Sequence, residues 1–365
     1  MNSVKALIVG VTTCAVVSCT APPPAQSTLN ANDDLIRWSG RYVEQAGRVK
    51  FGYPSVNANL SIDGGTLSMV ASSTKPGSLL GIRIDEQPPR RLALTTEPTR
   101  YTLIESATRQ HQIKISHLSE AWRGLVTIES FALDEGRLSA PPEPAANKLL
   151  VIGDSVTCGE GVYTAEAACK TKPREPDSDN SYGMLLGAKL NAETQLVCYG
   201  GRGVIRSWNG NTDELQAPDF FALAIPEPGN PPADLSSFVP DVIVVSLGTN
   251  DFSLGIGALP GQSEFVGAYV EFARRLLTTY PEAIIALTEG SIVNDKADPS
   301  RPQKTVLKRY IANTVEQVAN PRLYQIDSPY YPGDECDAHP TGEQHRQIAQ
   351  SLWIQLKPLL NLKDD

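Results

Sequence analysis

Between Trp38 and Leu138 the apolar side chains recur mostly with a period of two. Leu80, Ile82 and Ile84 alternate with Gly81, Arg83 and Asp85, and His111, Ile113, Ile115 and His117 share one face opposite Gln112, Lys114 and Ser116. Such stretches predict half-buried strands. Turn signals at Asp63-Gly64-Gly65, Pro76-Gly77-Ser78 and Gln87-Pro88-Pro89 fall at the spacing of an antiparallel sandwich. With no long helical pattern between them, residues 38–138 are expected to form a β-sandwich domain of the jelly-roll kind. A Pro-rich linker over 139–147, containing Pro141-Pro142-Glu143-Pro144, closes it.

Beyond the linker the pattern changes. Leu149–Ile152, Gln195–Cys198, Val242–Val245, Ala283–Leu287 and Leu323–Ile326 are short apolar runs of the kind buried on both faces of a parallel sheet. Between them Ser181–Leu190, Ser263–Thr279 and Gln303–Val318 read as helices; Phe265, Tyr269, Phe272 and Leu276 mark the buried face of the second. A last helix is expected after Thr341, where Thr341 and Gln344 form a T-x-x-Q capping box ahead of Ile348, Leu352 and Leu356. Alternating strands and helices over 148–362 predict a doubly wound α/β domain with a parallel five-stranded sheet, whose ligands sit at the carboxyl ends of the strands.

The 365 residues include 32 Lys and Arg against 41 Asp and Glu, a net charge of −9, which supplies no electrostatic footprint for nucleic acid or an anionic membrane. Lys5 followed by the apolar run Ala6–Val17 matches an export signal over residues 1–18. That run ends in Val16-Val17-Ser18-Cys19, which resembles the lipobox of bacterial lipoproteins. The expectation is a lipid anchor on Cys19, a flexible tether over 19–37, and a membrane association made through that anchor alone. An ordinary cleaved signal with Cys19 incidental is the alternative. Either way the protein is exported, and periplasmic or cell-surface in the first reading. Cys158, Cys169, Cys198 and Cys336 then allow three disulfide pairings, of which Cys158 with Cys169 is the local option. No Cys/His spacing of the zinc kind occurs, so no metal is expected.

The candidate chemistry lies where the strands end. Gly153-Asp154-Ser155 follows the first parallel strand, and a Ser in a tight strand-to-helix turn can present its hydroxyl as a nucleophile, although Ser155 or Thr157 could equally cap the next helix. Tyr199-Gly200-Gly201-Arg202-Gly203 follows the second strand and Gly248-Thr249-Asn250-Asp251 the third. The Ser155 and Gly201 N–H groups with the Asn250 amide would give three neutral donors for an oxyanion. Near the C-terminus stands Asp337-Ala338-His339-Pro340. Of the four His, only His339 occupies a loop before a helix; His111 and His117 lie on a strand face and His345 one turn into the last helix. Asp337 could accept the His339 Nδ1–H and fix its tautomer.

Together, in this order, the four blocks resemble the SGNH (GDSL-type) hydrolases. Trp38-Ser39-Gly40-Arg41, Glu120-Ala121-Trp122-Arg123-Gly124, Gly153–Gly161 and Gly248–Ser253 narrow the likeness to carbohydrate esterase family 2, two-domain acetyl esterases with a jelly roll ahead of the SGNH domain. The resemblance implies a serine esterase removing O-acetyl groups from xylan- or glucomannan-type saccharides, without a cofactor. Ser155 would be the nucleophile, His339 the base and Asp337 its orienter. Two departures stand out: Asp lies two residues before His, where the general SGNH pattern has three, and Ala338 stands where the family often has a Trp of the sugar platform. Tyr199, Trp208, Phe252, Tyr330 and Tyr331 are the aromatic candidates for that platform. The rival readings are a surface carbohydrate-binding lipoprotein without activity, and an esterase or lipase acting on another ester such as acetylated peptidoglycan or exopolysaccharide. The polar stretch Glu166–Asp179, with Lys170, Lys172 and Arg174, is unlike an apolar lipase lid. A monomer is expected.

Overall fold

The period-two segments of the N-terminal third pair into one antiparallel sheet that curls over its own apolar face. A computed structural model describes residues 27–163, 175–334 and 336–360. The sheet is built from β1 (Ser27–Asn30), β2 (Arg37–Ser39), β3 (Tyr42–Gln45), β4 (Arg48–Phe51), β5 (Asn57–Ser73), β6 (Leu79–Ile84), β7 (Arg90–Ala93), β8 (Thr99–His117), β9 (Val126–Asp134) and β10 (Arg137–Ser139). Its path is β3-β4-β9-β5-β8-β6-β7, with β1 on β9 and both β2 and β10 on β5. Phe51, Leu60, Ile62, Met69, Ile115 and Phe131 fill the interior.

Two expectations need correction here. Asp63-Gly64-Gly65 is not a turn but a bulge inside the 17-residue β5: the register against β8 shifts there, and Gly64 and Gly65 take φ of 74° and 87°. The extra residue bends the strand, so that its first half pairs with β2 and β10 and its second half with β9. That bend lets a single sheet close as two layers. The chain also joins the fold earlier than Trp38, because Ser27–Asn30 of the expected tether pair with Ser130–Leu133 as β1. Cys14 and Cys19 lie outside the described residues.

In the second part β11 (Asn147–Gly153), β12 (Ala192–Cys198), β13 (Val242–Ser246), β14 (Ile284–Thr288) and β15 (Leu323–Gln325) form a parallel sheet in the order β12-β11-β13-β14-β15. Helices α1 (Ser155–Cys158), α2 (Tyr182–Lys189), α3 (Ala217–Phe220), α4 (Gln262–Thr279), α5 (Gln303–Val318) and α6 (Gly342–Leu359) connect and cover it. The unbroken apolar run of β13 is explained by burial on both faces: Ile243 and Val245 pack in the cluster that holds Phe265 and Ile311, whereas Val242 and Val244 pack with Leu186 and Leu352. The Thr341/Gln344 capping box forms as expected, with Thr341 Oγ1 accepting the Gln344 N–H at 3.2 Å.

The chain runs from β11 to β12 on one side of the sheet and returns to β13 on the other, so the switch point lies at the carboxyl end of β11. Ser155, Gly201 and Asn250 follow β11, β12 and β13 and therefore converge there. The two parts share one continuous core, which holds Phe51 and Tyr53 of the β domain together with Phe220 and Phe221. Tyr53 donates to Phe220 O at 2.6 Å and Arg41 to Phe221 O at 2.6 Å, its guanidinium 5.1 Å from the Phe221 ring centre.

Candidate active site

The turn after β11 can close only around glycine, because a Cβ at Gly153 would stand 1.9 Å from Thr157 Oγ1 and 3.0 Å from Ser246 O. Asp154 then caps α1, its carboxylate accepting the Val156 N–H at 3.1 Å. Capping therefore falls to Asp154, and Thr157 instead bonds to the Tyr182 hydroxyl at 2.6 Å, which leaves the Ser155 hydroxyl free for chemistry. His339 Nε2 lies 2.9 Å from Ser155 Oγ. Asp337 Oδ1 lies 2.7 Å from His339 Nδ1 and accepts the backbone N–H of His339 at 2.9 Å. A side chain that hydrogen-bonds the backbone two residues on forms an Asx turn; the same oxygen that makes this turn also meets the ring, so an Asp-x-His spacing suffices. Since an ionised carboxylate only accepts, Nδ1 carries the proton and Nε2 is left to accept from Ser155.

The donors for an oxyanion are held by residues around them. Gly201 adopts φ of 75°, and a Cβ there would approach Trp208 Cδ1 to 2.7 Å. Asn250 is buried, and its Nδ2 donates to Arg202 O at 2.8 Å while sitting 3.5 Å from Asp154 Oδ2, which fixes the plane of the amide. The adjacent Asp251 gathers the backbone N–H groups of Val204, Ile205 and Arg206 at 2.8–3.1 Å. The Gly-rich loop is thus clasped by the Asn-bearing one. Cys158 and Cys198 form a disulfide that ties α1 to the end of β12, so the local Cys158–Cys169 pairing is not the one made. The strand order explains this, since β11 and β12 are neighbours and their ends adjoin. Cys336 is disulfide-bonded as well, and Cys169 lies outside the described residues.

Around Ser155 and His339 opens a cleft of about 570 Å³. Tyr199 and Trp208 line it as expected, Trp208 being 61% exposed with its ring available. Phe252 does not: it is fully buried and packs edge-on against Phe265 and Tyr310, a core residue rather than a platform. Tyr330 and Tyr331 are also absent from the lining, Tyr330 bonding to Asn294 and Tyr331 packing near α6. Glu120 and Trp122, which in the sequence stood out only as part of the family likeness, enter the cleft from the β domain, and Glu160 and Glu214, which carried no signal of their own there, line it too. Trp122 is 41% exposed and offers an aromatic face although Ala338 offers none. Arg123 connects these groups by pairing with Glu160 and lying over the Trp122 ring. The base of the 163–180 segment is tied to the β domain, with Arg91 pairing to Glu175 and Asp177 and stacking on Tyr163; Lys170, Lys172 and Arg174 lie outside the described residues.

Burial disfavours the imidazolium of His339, but the hydrogen bond and charge of Asp337, with the charges of Glu160 and Asp154, outweigh it and hold its pKa above the ordinary value. Burial pushes the Asp154 carboxyl up to about 6, against the Val156 N–H and the His339 charge that favour ionisation. Among the described residues no His/Cys/Asp/Glu group could hold a metal ion.

A serine nucleophile, a histidine base oriented by a carboxylate, and glycine and asparagine donors at the switch point of a doubly wound sheet define an SGNH-type serine hydrolase. Residues 151–347 match the GDSL-like lipase/acylhydrolase family, and residues 38–142 match the carbohydrate esterase 2 N-terminal domain. The chain belongs to carbohydrate esterase family 2. It is 36% identical over 337 residues to an acetylxylan esterase/glucomannan deacetylase of Cellvibrio japonicus, covering 92% of this chain and 91% of that protein. A family two carbohydrate esterase structure from Cellvibrio japonicus superposes with a TM-score of 0.86 at 35% identity, over 92% of this chain and 98% of the other. A second, from Clostridium thermocellum in complex with cellohexaose, gives 0.80 at 23% identity over 89% and 99% and shares the fold.

Proposed function

We propose that this esterase removes O-acetyl groups from xylan- or glucomannan-type polysaccharides or their oligosaccharides. The observation that carries the reading is the unbroken chain from Asp337 through His339 to Ser155, opening on a cleft walled by Trp122, Tyr199 and Trp208. As Ser155 Oγ bonds to the acetyl carbonyl carbon, its proton passes to His339 Nε2. The Ser155 and Gly201 N–H groups and the Asn250 amide stabilise the oxyanion. The bond to the sugar oxygen then breaks, and His339 returns the proton to that oxygen. Water, deprotonated by His339, attacks the acetyl-serine; the bond to Ser155 Oγ breaks, His339 returns its proton to Oγ, and acetate is released. Exposed indole faces suit the apolar faces of sugar rings, and Glu160, Glu214, Asn209 and Arg202 suit their hydroxyls, which supports a saccharide over a fatty acyl chain. Acetate release from acetylated xylan and glucomannan is expected to exceed that from acetylated peptidoglycan or bacterial exopolysaccharide at least tenfold in kcat/KM. The reverse ranking would move the substrate to the cell envelope, and a preference for long-chain p-nitrophenyl esters would make it a lipase. The intact triad speaks against an inactive binding lipoprotein.

The export reading is part of the same proposal. Lys5, the apolar run Ala6–Val17 and Val16-Val17-Ser18-Cys19 support a lipoprotein held at the membrane through Cys19. Cells expressing the full chain and fed a radiolabelled or alkynyl palmitate are expected to label the protein, and Cys19→Ala to lose that label. Equal labelling of both would refute the anchor.

A further inference from the structure

Glu120 comes from the β domain yet is 1% exposed beneath the catalytic loops. It opens the short 3-10 turn Ala121–Arg123, eighty residues before the Gly-rich loop, and its carboxylate accepts the backbone N–H of Gly200. The approach is so close that a Cβ on Gly200 would stand 2.8 and 2.9 Å from the two carboxylate oxygens. Gly200 immediately precedes Gly201, which lines the cleft. On either side this loop is held by other means: Cys198 by its disulfide to Cys158, Arg202 O by Asn250, and the 204–206 backbone by Asp251. Glu120 supplies the hold at the position between them.

We propose that Glu120 is a positioning residue for the oxyanion hole: it fixes the peptide preceding Gly201 through Gly200, so that the β domain completes the catalytic site. This inference rests on the esterase reading of Ser155. The chemistry of the position fits a hydrogen-bond acceptor rather than a required charge. Burial and the neighbouring Glu160 push the Glu120 carboxyl up to about 7, opposed by the Gly200 N–H, the Trp122 indole and the His339 charge, while Arg123 is engaged with Glu160. Either protonation state can accept the Gly200 N–H. What the loop needs is an oxygen at that point.

The test compares p-nitrophenyl acetate hydrolysis by the full chain and by Glu120→Leu, Glu120→Gln, Gly200→Ala and Ser155→Ala, each also followed by thermal melting. Glu120→Leu fills the same space without an acceptor and is expected to lower kcat at least tenfold with KM within threefold, because oxyanion donors act in the transition state. Glu120→Gln keeps the acceptor and is expected to recover most of that loss. Gly200→Ala pushes the loop off the carboxylate from the other side and is expected to lower kcat as Glu120→Leu does, which keeps the test alive should the leucine variant not fold. Equal losses in Glu120→Gln and Glu120→Leu, a rise in KM alone, or an unchanged kcat in Gly200→Ala would each overturn the inference. Residual turnover in Ser155→Ala close to that of the parent would instead overturn the esterase reading itself.

Discussion

Ser155→Ala is expected to lower kcat for acetate release by about 10⁴- to 10⁶-fold, the size of effect seen when the nucleophile is removed from a Ser-His-Asp unit, with KM little changed. The hydroxyl bonds to His339 but does not hold the turn: Asp154 already caps α1 and Thr157 makes the bond to Tyr182, so the variant should melt close to the parent protein. The remaining rate would come from the Gly201 and Asn250 donors acting on water attack. Acetate release from acetylated xylan, measured with enough enzyme to see such a slow rate, checks this. A loss of less than tenfold would mean that another group attacks the ester.

This effect can be anticipated from sequence because the residues concerned sit at the ends of apolar runs, and the ends of parallel strands are placed by topology. Once β11, β12 and β13 are recognised, Ser155, Gly201 and Asn250 must meet at the switch point whatever the intervening loops do. His339 was legible for a similar reason, lying in a loop just before the capping box of α6. Glu120 and Trp122 stood out only as part of the family likeness, not as members of the site. Their roles depend on how a curled sheet docks on the α/β part, through contacts such as Glu120 to Gly200 and Tyr53 to Phe220, and periodicity carries no record of such distant pairings. Phe252 shows the converse error. It follows the Asn-bearing turn, yet Phe265 of α4 and Tyr310 of α5 pack edge-on against it, because an aromatic beside a catalytic block serves the core as readily as a platform. The Asp63-Gly64-Gly65 misreading has the same root, since glycines with positive φ serve a bulge as well as a turn.

Asp337→Ala should have the next largest effect and also carries a sign. His339 must be neutral to take the proton of Ser155, so kcat/KM falls as pH drops through its pKa, which the structure holds above 6.5. The hydrogen bond and charge of Asp337 are the largest of the effects raising that pKa, and they act against burial, which lowers it. Removing them leaves burial opposed by the charges of Glu160 and Asp154. The acid limb of kcat/KM is therefore expected to move to lower pH in Asp337→Ala. On the plateau above it kcat is expected to fall about 10²- to 10⁴-fold, because the imidazole loses its fixed tautomer and the stabilisation of its charged form. The two changes have one cause and must appear together. A few-fold loss of kcat with an unmoved acid limb would mean that the backbone alone orients His339 and that the enzyme works as a Ser–His dyad. A large loss with an unmoved limb would assign Asp337 to holding the loop through the His339 backbone N–H. Hydrolysis of p-nitrophenyl acetate across pH 4.5 to 9 (on the order of the range in which His titrates) separates the three outcomes.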